Sequence, residues 1–218
     1  MRVVEIFDSI SGEGSHAGGL STFIRLAGCN LRCSWCDTLY AMSSMAGREM
    51  TLQQVLRAVR RGRTRHVTLT GGEPLGAPDA QTLVEELLQS GYEVEVETNG
   101  SKDIAPFAEL EGCTLTMDWK MPSSGYSGSM LEENLPLLRP CDCLKLVLAR
   151  GDLPDVWKVL KRVKPETRVY LSPVFGRIEP AEIVELMKAL ADAGRDMSGV
   201  RLQLQMHKIV WPPERRGV

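Results

Sequence analysis

The feature that most constrains the fold is an alternation along the chain between short apolar runs and amphipathic stretches. The apolar runs are rich in Val, Leu, Ile and Thr, which is typical of β-strands. They occupy residues 3–8, 21–27, 66–70, 93–97, 114–118, 143–148, 168–172 and 200–206. Helical periodicity fills the intervals, most clearly at 51–62, 78–90 and 179–193 and more briefly at 103–110, 130–138 and 154–163. Strands that alternate with helices predict a parallel sheet.

The length of the chain limits how far such a sheet can curl. A complete eight-unit βα barrel needs about 250 residues, and this chain has 218. We therefore expect an α/β fold, a partial and open parallel βα barrel of about six units. No internal repeat, charge run or linker divides the sequence, so residues 1–218 are expected to form a single domain.

Charge and hydropathy exclude several classes of protein. A formal net charge of −2 and a pI of about 6.0 disfavour a protein that coats nucleic acid or an anionic membrane. No apolar run approaches the ~18 residues that span a bilayer. Glu5 and Asp8 stand where a signal peptide would be apolar. We expect no nucleic-acid or membrane partner, and the expected compartment is the cytoplasm.

The strongest chemical signal is a cluster of cysteines directly after the second predicted strand. Cys29, Cys33 and Cys36 have the spacing C-x3-C-x2-C. Three thiolates within so short a segment can surround a soft metal centre, and iron–sulfur clusters usually take four cysteine ligands. Three local ligands would leave one iron with an open position, as a catalytic centre requires.

Two other interpretations of this segment remain open at the level of spacing. A structural zinc site would take a fourth ligand from His16, His66 or a distant cysteine. The thiols can also be inert, or two of them can form a disulfide. The remaining cysteines, Cys113, Cys141 and Cys143, lie near predicted strand starts and are expected to be ordinary buried thiols.

Four further polar or glycine-rich elements each follow a predicted strand. They are Thr-Gly-Gly-Glu-Pro at 70–74, Glu-Thr-Asn-Gly at 97–100, Asp-Trp-Lys at 118–120 and Ser-Pro-Val-Phe at 172–175. Each alone is consistent with an ordinary turn. Together with the cysteines, however, they lie just past the carboxyl ends of the strands, which form the rim that carries the active site in parallel barrels. Their shared position predicts one common site.

The cysteine spacing and the Gly-Gly-Glu-Pro turn together resemble the radical S-adenosylmethionine superfamily. The resemblance implies that Cys29, Cys33 and Cys36 hold a 4Fe–4S cluster. The open iron of that cluster would bind the amino and carboxylate groups of S-adenosylmethionine. One electron from the cluster would then cleave this cofactor to a 5′-deoxyadenosyl radical, which abstracts a hydrogen atom from the substrate.

A narrower resemblance covers essentially the whole chain. Segments 5–14, 23–31, 36–38, 97–100 and 207–208 together are similar to the 7-carboxy-7-deazaguanine synthases. These enzymes convert 6-carboxy-5,6,7,8-tetrahydropterin to 7-carboxy-7-deazaguanine and ammonia in the biosynthesis of queuosine and related deazapurines. The resemblance therefore implies a pterin substrate, Mg²⁺, a homodimer and an external one-electron reductant of the flavodoxin type.

The same resemblance assigns site residues by position. It implies that Thr38 contacts Mg²⁺. The implied cofactor-binding residues are Gly71, Gly72, Glu73, Thr98, Asp118, Trp119, Lys120, Ser172, Pro173, Val174 and Phe175. The implied substrate-binding residues are Ile10, Ser11, Gly12, Glu13, Arg25, Thr70, His207 and Pro213. It also implies a cluster loop at 28–40 and a C-terminal tail at 207–218 that closes over the substrate.

Four of these residues have alternative roles on the sequence alone. Arg25 offers a planar charged fork suited to a substrate carboxylate, or else forms a surface ion pair. Glu13 accepts hydrogen bonds from the pterin, or only stabilises its loop. Thr38 supplies a hard oxygen ligand, or caps a turn. His207 is expected to end a strand and to face the site, or to be a satisfied core histidine.

The sequence departs from the family pattern at three places, one of which is a cluster loop without the long insertion that some relatives have. Ser11 stands where many relatives carry Gln, and Asp118-Trp119 replaces a common Ser-Pro. Two rival functions also fit the cysteines. A glycyl-radical activase shares their spacing but would have an open rim without a pterin pocket. A zinc-stabilised binding module would have no catalytic activity.

Overall fold

The computed structural model describes all 218 residues and contains one nine-stranded sheet. The strands are β1 (Arg2–Ile10), β2 (Leu20–Leu26), β3 (Arg48–Glu49), β4 (His66–Gly71), β5 (Glu93–Thr98), β6 (Cys113–Asp118), β7 (Cys143–Leu148), β8 (Arg168–Pro173) and β9 (Val200–Leu202). Their order is β3-β1-β2-β4-β5-β6-β7-β8-β9. β1 pairs antiparallel with β2 and β3, and every other pair is parallel. β3 and β9 are the edges, so the sheet is open as expected.

Helices occupy most of the connections between the parallel strands. They are α1 (Leu52–Val59), α2 (Ala80–Gln89), α3 (Ala105–Ala108), α4 (Val156–Leu160), α5 (Pro180–Asp192) and α6 (His207–Val210). α1 begins with a capping box, in which the Gln54 N–H donates to the Thr51 hydroxyl and the Gln54 side chain accepts from the Thr51 N–H. None of the six helices has the length and apolar character needed to cross a bilayer.

Two predicted elements differ from the structure for local reasons. The stretch 130–138 is not an α-helix but a 3₁₀ turn at Glu132–Leu137, where Pro136 lacks the N–H that an α-helix interior requires. The strand predicted at 200–206 ends at Leu202. Beyond it, the Gln203 side chain donates to the carbonyl of Gly14 and accepts from its N–H, at 2.9 and 2.8 Å.

One face of the sheet is apolar and lies under the helices. Alternate residues of six adjacent strands point there, and all are almost completely buried. They are Ile24, Leu26, Val67, Leu69, Val94, Val96, Leu115, Met117, Leu144, Leu146, Val169 and Leu171. Each side chain of this size contributes about 1.5–3 kcal/mol when it leaves water, so this face carries most of the stability of the fold.

The opposite face of the same strands is polar although it is largely buried. Its side chains include Arg25, Thr70, Glu97, Asp118, Lys145 and Ser172, with Thr68, Glu95 and Thr116 two residues nearer the amino ends of their strands. Arg25 is in register with Thr70, Glu97 with Thr116 and Asp118 with Lys145. Burial of polar and charged groups costs free energy unless they are paired. A sheet face of this composition is therefore a marker of a functional site.

Glu95 lies deepest on the polar face and has no exposed surface. One carboxylate oxygen accepts the Thr116 hydroxyl at 2.5 Å, and the other has no hydrogen-bond partner. Burial, with the nearby Glu97 carboxylate, raises the pKa of Glu95 to about 7. The folded protein therefore favours the protonated acid, and its ionisation costs stability.

We expect Glu95→Gln to stabilise the protein at alkaline pH. The pKa of Glu95 is 4.5 in the unfolded chain and about 7 in the folded protein. The cost of ionising Glu95 in the folded protein is therefore absent below about pH 4.5 and grows as the pH rises through about 7. The amide removes this penalty, so the free energy of unfolding should exceed that of the wild type by up to about 3 kcal/mol at pH 8, with little difference at pH 5. Urea unfolding at the two pH values measures the effect. The exposed Glu93→Gln on the same strand is the control, and an equal pH dependence in both variants contradicts the prediction.

Candidate active site

The three clustered cysteines lie on a loop that begins where β2 ends. All three are free thiols, and each is partly buried. The loop is closed at its base, because the N–H groups of Gly28 and Cys29 donate to the carbonyls of Ala41 and Met42 at 2.8 and 3.1 Å. The thiols are thus held together at the carboxyl end of the sheet, where the motif analysis predicted the site.

The surroundings of the thiols suit an iron–sulfur cluster. The Leu31 N–H and the Asn99 amide donate to Cys29 Sγ at 3.4 and 3.7 Å, and such N–H···S bonds tune the potential of a cluster. Partial burial raises the pKa of the Cys33 and Cys36 thiols, while the Lys120 ammonium opposes the rise at both. A positive group beside the thiols favours the thiolate form that metal binding requires.

The arrangement does not suit a zinc ion. No three His, Cys, Asp or Glu side chains converge closely enough to hold a single ion, and structural zinc needs four ligands around one point. His16 and His66 stack on each other with ring centroids 3.6 Å apart, and His66 begins β4 at the opposite end of the sheet. Because the cysteines of a 4Fe–4S cluster bind different iron atoms, the three thiols need not converge.

The Gly-Gly-Glu turn is joined to the cysteine loop by backbone hydrogen bonds. The Gly72 N–H donates to the Leu26 carbonyl at 3.1 Å, and the Glu73 N–H donates to the Gly28 carbonyl at 2.8 Å. Gly71 has a φ of 150°, and a Cβ on Gly71 or Gly72 would collide with the backbone of Leu26 or Gly28. The two glycines are thus needed for this close approach of two chain segments.

Glu73 joins the same turn to the Glu-Thr-Asn-Gly segment. One of its carboxylate oxygens accepts from the Thr98 hydroxyl at 2.8 Å and the Leu75 N–H at 3.0 Å, and the other accepts from the Asn99 N–H at 2.6 Å. Burial raises the pKa of the Glu73 carboxyl against these hydrogen bonds. Three protein donors fix the orientation of this carboxylate, so Glu73 is a positioning residue, and Thr98 acts through it.

The Asp-Trp-Lys segment contributes two charged residues to the site. Asp118 pairs with Lys120 at 2.5 Å and with Lys145 at 3.1 Å. Burial opposes ionisation of Asp118, but the two ammonium groups hold its pKa below the usual range. The Lys120 ammonium also lies 5.1 Å from the centre of the Trp35 ring on the cysteine loop. Lys120 therefore connects the polar face of the sheet to that loop.

Glu13 reaches the same group of charges from the loop that follows β1. Its carboxylate accepts from Lys145, Ser172 and Gln205, each at 3.2 Å. Although burial disfavours a charged lysine, the Asp118 and Glu13 carboxylates raise the pKa of Lys145 well above its usual value. These hydrogen bonds join the Glu13 loop to β7, to β8 and to the segment that follows β9, and they hold the Glu13 carboxylate against the polar face.

Arg25 lies at the edge of the polar face, beside Thr70. Its Nε donates to Glu5 at 2.8 Å, and the Tyr40 hydroxyl donates to the same carboxylate oxygen at 2.8 Å. The two Nη groups make no hydrogen bond within the chain. Thr70 donates to the buried Glu97 at 2.7 Å. Arg25 is therefore ion-paired on one side and has a free pair of donors on the other.

Thr38 does not cap the 3₁₀ turn that follows it. Its hydroxyl instead donates to Asp37 at 2.9 Å, and Asp37 pairs with Lys208 at 2.8 Å. Partial burial opposes ionisation of Asp37, but Lys208 outweighs it and lowers the pKa of the carboxyl. Thr38 and Asp37 thus present adjacent hard oxygens where the tail meets the cysteine loop.

The C-terminal tail meets the site through residues that differ from the sequence expectation. His207 begins α6 and does not end a strand. Its ring packs against Gly12, where no Cβ would fit, and makes no hydrogen bond, so it is not a satisfied core histidine. Pro213 is exposed. The tail instead reaches the site through Lys208 and through Arg216, whose guanidinium lies 4.0 Å from the centre of the Tyr40 ring.

Several predicted site residues have side chains that point elsewhere. Trp119 packs in the core with the Arg162 guanidinium over its ring, so only its backbone can line a cofactor pocket. Ser11 is fully buried and donates to the Glu13 carbonyl, and Ile10 ends β1 half-buried. Phe175 is 49% exposed.

Other predicted residues are placed as follows. Pro173 and Val174 are buried beside Ser172. Cys113 and Cys143 are buried at the starts of their strands as expected. Cys141 is exposed because it precedes β7 in a surface turn, so the expectation that it is buried was wrong.

Sequence reasoning included Glu97 in the 97–100 motif and Glu5 in the 5–14 segment without assigning either a role, and it did not select Lys145 or Glu95. All four contribute charge to the polar face or its edge. A usable signal was present for Glu97 and Lys145. Glu97 alternates with buried valines in the strand at 93–97, and Lys145 is the one cation in an otherwise apolar run at 143–148. A charge inside a buried strand is rare unless it is paired or functional.

Comparison with known proteins agrees with the fold and the motifs. Residues 23–124 match the model of the radical SAM superfamily. A 7-carboxy-7-deazaguanine synthase of Clostridium acetobutylicum is 40% identical over 225 residues, which covers 100% of this chain and 99% of the relative. One of Thermoplasma acidophilum is 34% identical and covers 97% of both chains.

Solved structures show the same architecture. A crystal structure of QueE from Escherichia coli superposes with a TM-score of 0.70 at 23% identity and covers 93% of this chain and 92% of that chain. A crystal structure of Streptococcus suis SuiB has a TM-score of 0.59 at 12% identity and covers 84% of this chain. The full-length similarity to the curated relatives shows that the chain belongs to the 7-carboxy-7-deazaguanine synthase family of the radical SAM superfamily.

Proposed function

We propose that this radical SAM enzyme, a carbon–nitrogen lyase, converts 6-carboxy-5,6,7,8-tetrahydropterin to 7-carboxy-7-deazaguanine and ammonia for queuosine biosynthesis, using the residues described above. One observation carries the assignment of the site. The cysteine loop and the polar face meet at one rim, with free cationic donors on Arg25 and carboxylates on Glu13 and Glu97. The rim therefore carries both signs of charge, as a carboxylated pterin requires.

Cys29, Cys33 and Cys36 hold the 4Fe–4S cluster in this proposal. When bound, the reduced cluster and S-adenosylmethionine supply an organic radical that removes a hydrogen atom from the substrate. The segment from Gly71 to Glu73 lines the cofactor in this proposal, and three hydrogen bonds fix the orientation of the Glu73 carboxylate there. The remaining wall of the cofactor site is formed by Lys120, by the backbone of Asp118 and Trp119, and by the segment from Ser172 to Phe175.

The polar face binds and orients the substrate. The free Nη pair of Arg25 suits a bidentate contact with the pterin carboxylate. Glu13 and Glu97 accept hydrogen bonds from the guanidine-like edge of the ring, and Thr70 fixes Glu97. His207, pressed against Gly12, closes the pocket from the tail side. Fixed donors and acceptors in a dry pocket lower the cost of reaching the reactive geometry.

The tail at 207–218 acts as a cover in this proposal. Lys208 pairs with Asp37 on the cysteine loop, and Arg216 stacks on Tyr40, which donates to Glu5. Two separate contacts therefore hold the tail over the rim. A covered pocket excludes water from a reactive intermediate, and it favours a small substrate over the protein substrate of a glycyl-radical activase.

Three finer assignments complete the proposal. Mg²⁺ binds through the Thr38 hydroxyl, with water and substrate oxygens as its other ligands. The chain works as a homodimer. Its electrons come from an external one-electron donor of the flavodoxin type. The magnesium assignment is supported by the adjacent hard oxygens of Thr38 and Asp37. The homodimer and the electron donor rest on the resemblance to the family.

The function is tested by anaerobic reconstitution with iron and sulfide. We expect the enzyme, given the carboxytetrahydropterin, S-adenosylmethionine, Mg²⁺ and dithionite, to release 7-carboxy-7-deazaguanine, measured by mass spectrometry. Cys33→Ala should lose most of its iron and its product formation, because two local thiolates remain for a cluster that needs three. The exposed Cys141→Ala is the matched control and should keep both. A Cys33→Ala enzyme with full iron content and turnover would refute the assignment.

The Thr38→Ala change tests the magnesium assignment. Loss of one oxygen ligand should raise the Mg²⁺ concentration for half-maximal turnover by roughly tenfold, while the iron content stays the same. Thr38→Ser keeps the hydroxyl and should restore the wild-type requirement. An unchanged Mg²⁺ dependence in Thr38→Ala would remove Thr38 from the metal site.

A further inference from the structure

A polar cleft of about 570 Å³ opens at the amino ends of β4 and β5. It lies between the end of α1, the turn that leads into β4 and the turn between α2 and β5. The cysteine loop follows the carboxyl end of β2, which is parallel to β4, so the cleft is at the opposite end of the sheet. No residue assigned above to the cluster, the cofactor, Mg²⁺ or the substrate lines it. The proposed reaction therefore does not explain this cleft.

The cleft carries an excess of positive charge. Arg60, Arg63 and Arg65 line it, and no carboxylate does. Arg57 and Arg61 extend the cluster, and all five arginines are exposed. Only Arg63 has a carboxylate partner, in β1 at 3.5 Å, whereas four arginines elsewhere in the chain each pair with a carboxylate. The charge of the cluster is thus largely unneutralised within the chain.

The stability of the fold does not explain the five arginines. The negative carboxyl end of α1 stabilises cations close to it, which accounts for Arg57 and Arg60. Arg61, however, is four residues from Arg57, a spacing at which like charges repel each other on a helix. Arg63 and Arg65 lie beyond the helix, and the effect of the dipole is confined to the last turn. Mutual repulsion of the five cations opposes folding, so a ligand is the better explanation of their clustering.

The turn that carries Arg63 and Arg65 is fixed to three strands. The Arg63 N–H donates to Asp8 of β1 at 3.2 Å, and the Thr64 hydroxyl donates to the first carbonyl of β2 at 3.0 Å. The Arg65 carbonyl accepts the N–H of the first residue of β5 at 3.0 Å. Because these bonds already order the backbone, an anion that binds here loses less free energy to the ordering of the chain.

Several donors in the cleft have no partner within the chain. The Arg60 and Arg65 guanidinium groups and the hydroxyls of Ser90 and Tyr92 form no hydrogen bond there. The Arg65 guanidinium lies 6.0 Å from the centre of the half-buried Tyr92 ring. Guanidinium groups bind phosphate oxygens in a bidentate manner, and an aromatic ring offers a surface on which a nucleobase can stack.

We propose that this cleft binds a small molecule that carries a di- or triphosphate group. Arg60, Arg63 and Arg65 contact the phosphate oxygens, and the Ser90 hydroxyl donates to a further oxygen. Three cations without a carboxylate in the lining suit a ligand with several negative charges, not a single carboxylate. The ligand is either a nucleotide, with its base on Tyr92, or free inorganic polyphosphate, which needs the arginines alone.

The experiment measures binding by calorimetry on the reconstituted enzyme. The protein is titrated with inorganic tripolyphosphate and, separately, with ATP, at low and at high sodium chloride. Arg60→Ala and Arg65→Ala each remove one guanidinium from the cleft. Arg57→Ala is the matched control, since it removes the same charge from the same cluster but from a residue that does not line the cleft. Product formation with dithionite is measured for each variant and should equal that of the wild type.

We expect Arg60→Ala and Arg65→Ala each to weaken the binding of both ligands roughly five- to twentyfold. Arg57→Ala should weaken it by less than about twofold, because an exposed charge that makes no contact is screened. High salt should weaken binding to the wild type. Tyr92→Leu, which keeps an apolar side chain, separates the two sources. A loss for ATP alone identifies a nucleotide, and equal behaviour of the two ligands identifies free polyphosphate.

Three outcomes would overturn the proposal. The first is no binding of either ligand by the wild type. The second is an equal loss in Arg57→Ala and Arg60→Ala, which would show diffuse attraction to a basic surface and not a site. The third is tighter binding of a short single-stranded RNA than of ATP, which would make the cluster a nucleic-acid surface. Failure of the proposed function is separate, since it would appear as no product from the wild type while the binding results stand.

Discussion

The polar face of the sheet depends on the Lys145 ammonium. This group contacts Glu13 at 3.2 Å and Asp118 at 3.1 Å, and the nearby Glu97 carboxylate also raises its pKa. Without it, three carboxylates would lie close together in a medium that solvates them poorly, and like charges in such a medium repel strongly. The lysine allows these carboxylates to lie together on one face of a sheet whose opposite, apolar face stabilises the fold.

The loops at the rim form one connected unit. Glu73 connects the Gly-Gly-Glu turn to the segment that contains Asn99, and Asn99 donates in turn to Cys29. Backbone hydrogen bonds from the same turn reach Gly28 at the base of the cysteine loop. Residues from three strand ends thereby fix the cysteines, so the position of the three thiols is set by the sheet and not by their own loop alone.

The sequence predicted the parallel strands well because each has one apolar face, and burial of that face fixes the period-two pattern and the register. The motifs on the rim were also found, since glycine and cysteine at strand ends are conspicuous. The partners of those motifs were not found. Lys145 and Tyr40 belong to no motif, and Glu5 only begins the 5–14 segment. Their roles come from contacts between parts of the chain that are far apart in the sequence. The course of the tail likewise depends on tertiary contacts such as that of Arg216 with Tyr40.

The open barrel leaves the mouth of the site to be covered by the C-terminal tail. A closed barrel would surround the rim with further strands, whereas here the sheet ends at β3 and β9. Lys208 pairs with Asp37, and the Arg216 guanidinium lies over the Tyr40 ring. Because both contacts join the tail to the segment that follows the cysteines, the C-terminal residues supply a wall that further strands would supply in a closed barrel.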